Sequence, residues 1–93
     1  MAPIPFSGSL EETRHRLKQA CQSIARLQLI SEQDGYLHYE AKSRFLGFVD
    51  DVEFMIDVEA GAIHFRSASR TGYADLGANR GRMEAIRQEF QSL

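Results

Sequence analysis

At 93 residues the chain has room for one domain and not for two. With 43% hydrophobic and 26% charged residues it has the make-up of an ordinary globular protein, which argues against disorder. Its net charge of -2, from 11 basic and 13 acidic residues, argues against a dedicated nucleic-acid binder, because phosphate neutralisation needs a basic excess.

The single cysteine, Cys21, allows neither an intramolecular disulfide nor a cysteine-built zinc site. A reducing compartment fits, and a cytoplasmic location is expected. No apolar run approaches the ~18–20 residues that cross a bilayer. Met1 to Ser9 lacks the layout of a signal peptide, so no membrane segment is expected in this chain.

Ala2-Pro3-Ile4-Pro5-Phe6 opens the chain in extended geometry, because each proline disfavours helix at the residue before it. Ser9 and Glu12 form a capping-box pattern. Leu10, Leu17, Ala20, Cys21 and Ile24 then recur at helical spacing, which predicts a helix from about Leu10 to Ala25. Leu27 to Glu32 reads as a strand. A three-residue turn, Gln33-Asp34-Gly35 with Gly35 left-handed, sets Leu29 opposite Tyr39 and Leu27 opposite Ala41.

The next hairpin alternates more cleanly. Val52, Phe54, Ile56 and Val58 share one face, while Asp51, Glu53, Met55 and Asp57 share the other. A two-residue turn at Ala60-Gly61 pairs Val58 with Ile63 and Ile56 with Phe65. Arg70 to Ala78 reads as a loop. Asn79 reads as the N-cap of a last helix whose stripe is Met83, Ile86, Phe90 and Leu93. The expected fold is α+β in the order (β)αββββα. It has a four-stranded antiparallel sheet, five-stranded if the opening segment joins, with two helices on one face.

Three groups of residues could carry chemistry. Asp50, Asp51 and Glu53 could divide acid and base roles or hold a hard cation. Most surface carboxylates are simply solvated, and that plainer reading is preferred. The run Arg66-Ser67-Ala68-Ser69-Arg70-Thr71-Gly72, with Asp75, Asn79 and Arg80 beyond it, lies ahead of a helix N-terminus and could hold an anion. It matches no phosphate-binding fingerprint, and a role in satisfying the loop is preferred. His38, Glu40, Glu53, Asp57, His64 and Arg66 share the polar sheet face, where exposed ion pairs are expected rather than a metal. No cofactor is expected. Cys21 is expected to pack as a small hydrophobe.

Two stretches carry a family resemblance. One is Arg44-Phe45-Leu46-Gly47-Phe48-Val49-Asp50-Asp51-Val52-Glu53-Phe54. The other runs from Ile63 through the RSASR, DLG and NR blocks to Arg87. Together they resemble a bacterial and plastid domain-of-unknown-function family, number 1499, over nearly the whole chain. The resemblance implies no activity. It implies that Asp50, Asp51, Glu53, Ser67, Ser69, Arg70, Gly72, Asp75, Gly77, Asn79 and Arg80 matter to the family. It also implies a cysteine-containing segment upstream of this chain, so that the chain is trimmed or a short member. The expected function is a non-catalytic binding or assembly module whose partner is a protein or a small anion. The alternative is a small hydrolase or isomerase using Asp50, Asp51 or Glu53 with Arg70 or Arg80.

Overall fold

A computed structural model describes residues 2–43, 47–70 and 76–93, with 76–78 as backbone only. The elements follow the expected order: β1 (Ile4–Pro5), α1 (Leu10–Gln22), β2 (Leu27–Gln33), β3 (Tyr36–Lys42), β4 (Val49–Asp57), β5 (Ala62–Ser69) and α2 (Leu76–Ser92). The strands form one antiparallel sheet in the order β1-β5-β4-β3-β2. Leu37, Tyr39, Val52, Phe54, Ile56 and Ile63 line one sheet face, and Leu17, Cys21, Met83, Ile86 and Phe90 of the two helices close over them. Tyr39 and Phe54 meet edge to face, with centroids 5.8 Å apart. Among the described residues, no helix covers the other sheet face.

The capping box forms as the sequence predicts. Ser9 Oγ accepts from the Glu12 N–H at 3.1 Å, and Glu12 Oε1 reaches back to the Ser9 N–H. α1 stops at Gln22, short of Ala25. Ser23 turns its hydroxyl onto the Ala20 carbonyl at 2.7 Å, and Arg26 then takes a left-handed φ of 58° to enter β2. α2 starts at Leu76, so Asn79 lies inside its first turn and is not the cap. The Asn79 side chain is buried and bonded to Ser67 and Arg82, which removes it from a capping role. The rest of the expected loop, 71–75, lies outside the described residues.

Both hairpins correct the expected turns. Leu29 does face Tyr39 and Leu27 does face Ala41, but Gln33 pairs with Tyr36, leaving a two-residue turn. A β-bulge between Leu29 and Ser31 supplies the extra residue and so keeps both faces correct. Asp34, not Gly35, takes the left-handed conformation, at φ 52°. Gly35 is needed for closeness: a Cβ there would lie 2.9 Å from the Ile56 carbonyl oxygen.

In the second hairpin Ile56 pairs with Ile63 and Phe54 with Phe65, two residues out of the expected register. Asp57 is the cause. Its carboxylate accepts from the Ala60 N–H at 3.1 Å, and the Gly61 N–H bonds the Val58 carbonyl at 3.2 Å, giving a four-residue turn. Val58 is therefore exposed and not in the core. A shift of two residues preserves the faces, so the alternation alone could not detect it.

Candidate functional site

Adjacent residues of a strand point to opposite faces, so Asp50 and Asp51 enter different environments. Asp50 lies on the helix side, opposite Ser69 of β5. Asp51 lies on the open side, opposite Ala68 and Glu40. The expected cluster therefore divides into two.

On the open side, Arg70 is fixed at the end of β5 by its N–H, which extends the ladder to the Val49 carbonyl at 3.1 Å. Its guanidinium grips Asp51 with two bonds, Nε to Oδ2 at 2.9 Å and Nη2 to Oδ1 at 2.7 Å. The same Nη2 also bonds Glu40 of β3. His38 Nε2 meets Asp51 Oδ1 at 2.8 Å. Hydrogen bonds from Arg70, then from His38, hold the Asp51 carboxyl down at about 2. Arg70 is pushed further up, first by its bond to Asp51. Glu53 faces His38 and Arg66 across its neighbouring strands. Burial, then the charge of Glu53, raises the Tyr36 phenol.

On the helix side, Arg82 of α2 reaches the sheet. Its Nη1 bonds Asn79 Oδ1 at 2.7 Å and its Nη2 lies 3.4 Å from Asp50 Oδ2. Ser67 donates to Asn79 Oδ1 at 2.6 Å. Both charged side chains are mostly covered, at 15% exposure for Arg82 and 18% for Asp50. This cluster fastens α2 to the ends of β4 and β5.

Of the expected site residues, Asp51 and Arg70 meet directly, with Glu53 on the same face. Asp50, Ser67, Ser69 and Asn79 gather on the opposite face. Arg80 is exposed and makes no ion pair among the described residues, while Asp75 lies outside them. Sequence reasoning overlooked Arg82. Taking Asn79 as a cap hid the fact that Arg82, three residues on, shares its helix face.

Among the described residues, no group of three or more His, Cys, Asp or Glu is placed to hold a metal ion. Between Glu40 and Asp51, the Arg70 guanidinium occupies the place a cation would take. Among the described residues, clefts of about 370, 160 and 100 Å³ run along α1, β2 and β3, and neither Asp51 nor Arg70 lines them. No described helix is long and apolar enough to cross a membrane.

A family model described as "Protein of unknown function (DUF1499)" matches residues 1–90. No curated protein and no solved structure matches the chain.

Proposed function

The chain belongs to the DUF1499 family, whose function is unknown, and from its geometry we propose a non-catalytic binding or assembly module. Its contact surface is the open sheet face around Asp51, Arg70, Glu40 and His38, and its partner is a protein. The observation that carries this reading is the two-bond grip of Arg70 on Asp51, on a sheet face that no described helix covers. A fixed array of charges at the surface favours one complementary partner and repels others, which gives specificity and register.

The chemistry of Asp51 supports binding over the hydrolase or isomerase alternative. A general base works best with a pKa near the working pH. Asp51, held at about 2, is a weak base and stays ionised at neutral pH. A free small anion suits this face less well than a protein, since it would compete with two carboxylates for Arg70.

The test is a photocrosslinking residue at Met55, which is 48% exposed on β4 of this face, with Gln19 on α1 as the control position. In the cells that make the protein, Met55 is expected to give a discrete protein adduct that Gln19 does not give. Arg70→Ala is expected to abolish it while the circular dichroism spectrum stays folded. An adduct that survives Arg70→Ala, or a variant that unfolds, contradicts the reading.

A further inference from the structure

The sheet ends at β2, and no described strand pairs with its outer edge. The Arg26 carbonyl accepts from the Lys42 N–H at 3.1 Å, and Gln28 pairs with Glu40. Backbone groups alternate between the two sides of an antiparallel strand, so Leu27 and Leu29 turn their N–H and C=O groups outward. This is a template for one more strand.

A cleft lies beside that edge on each face of the sheet. On the helix side, Cys21, Leu27, Leu29 and Tyr39 line a space of about 100 Å³, with Lys18 and Gln22 at the rim. Burial pushes the Cys21 thiol up to about 12, so the cleft floor carries no charge near neutral pH. A cavity of ~150 Å³ accommodates benzene, so this smaller one suits a branched aliphatic side chain. On the open side, Arg26, Gln28, Glu40 and Lys42 line a space of about 160 Å³. Glu40 is already engaged by Arg70. Arg26 and Lys42 are exposed and form no ion pair among the described residues. That cleft therefore presents two cations beside a carboxylate already turned to Arg70.

We propose that β2 is a peptide-docking edge, taking an extended segment of another protein in which an acidic residue stands between two aliphatic ones. Successive side chains of an added strand point to opposite faces. The aliphatic residues enter the cleft over Leu27 and Leu29, and the carboxylate between them meets Arg26 and Lys42. Main-chain bonds to Leu27 and Leu29 supply affinity, and the two clefts supply sequence preference. The bulge between Leu29 and Ser31 ends the regular edge after a few residues. This suits a short peptide and works against two copies pairing along the whole of β2. The open-side cleft borders the Asp51–Arg70 cluster through Glu40, but the main-chain edge of β2 lies outside that cluster, and the docking proposed here does not depend on the function proposed for it.

The test uses the whole 93-residue chain, isotope-labelled for NMR, and a capped pentapeptide, serine–valine–glutamate–valine–serine. Saturable amide shifts centred on Leu27 to Leu29, with slowed exchange of the Leu27 and Leu29 amides, are expected. Replacing the peptide's glutamate by lysine is expected to weaken binding about fivefold or more, the scale of reversing an exposed ion pair. Lys42→Glu is expected to reverse that preference. No shift at millimolar peptide overturns the proposal, as do shifts confined to another face or a preference that Lys42→Glu leaves unchanged. Shifts at β2 that arise on concentrating the protein alone, and that peptide does not displace, assign the edge to self-association and also overturn it.

Discussion

Asp50 and Asp51 are consecutive on β4, yet Asp50 is held by Arg82 beneath α2 while Asp51 is held by Arg70 on the open face. One step of the backbone pleat separates an anion that fastens the fold from one that faces outward.

The two arginines should therefore behave differently. Arg82→Ala leaves the mostly covered Asp50 carboxylate without its cation and strips a donor from Asn79. A loss of about 1–3 kcal/mol in urea unfolding is expected. Arg70→Ala removes a half-exposed side chain, so the fold should persist with a smaller loss of stability than Arg82→Ala shows.

Acid stability follows from Asp51. Its pKa falls from 3.8, the ordinary value of a free aspartate side chain, to about 2 in the fold. A lowered pKa means the folded state binds its proton more weakly than the unfolded chain. The resulting stability is therefore full above about pH 4 and is lost as pH falls towards 2. In Arg70→Ala this part of the acid loss should shrink, as read from urea unfolding at stepped pH.

Cys21 gives the opposite limb. Burial raises its thiol from 9.0 to about 12, so the fold favours the neutral form. The contribution holds below pH 9 and is lost as pH rises towards 12. A disulfide reagent at neutral pH is expected to label Cys21 only as fast as the protein opens, and rapidly once it is unfolded. Fast labelling of the folded protein would place the thiol at the surface.

Two glycines should respond with opposite signs. A methyl at Gly35 would come within 2.9 Å of the Ile56 carbonyl, and Gly35→Ala is expected to cost about 1–3 kcal/mol. Gly81 sits inside α2 with open space around a Cβ, so Gly81→Ala is expected to gain about 0.5–1 kcal/mol. Thermal unfolding of both variants checks the pair.

The alternation of Val52, Phe54 and Ile56, and the capping box at Ser9 and Glu12, made the sheet face and the first helix readable from sequence. Those signals are local and periodic. The bulge after Leu29 was not readable, because an inserted residue changes the turn length without changing which side chains are apolar. The register at Asp57 escaped for a related reason: Val58 continues the apolar pattern while the Asp57 side chain has already begun the turn. At the candidate site, sequence proximity suggested one cluster from Asp50 to Arg80. The pleat divides it, and Arg82 was legible only once α2 was known to begin at Leu76.

Whether Asp51 is a fixed anion held for contact is read most directly by titrating its side-chain carboxyl carbon by NMR across the acid range. A midpoint at about 2 that climbs towards 3.8 in Arg70→Ala is the expected result. A midpoint above the ordinary carboxylate range would show that Asp51 is not held as an anion and would contradict the non-catalytic reading.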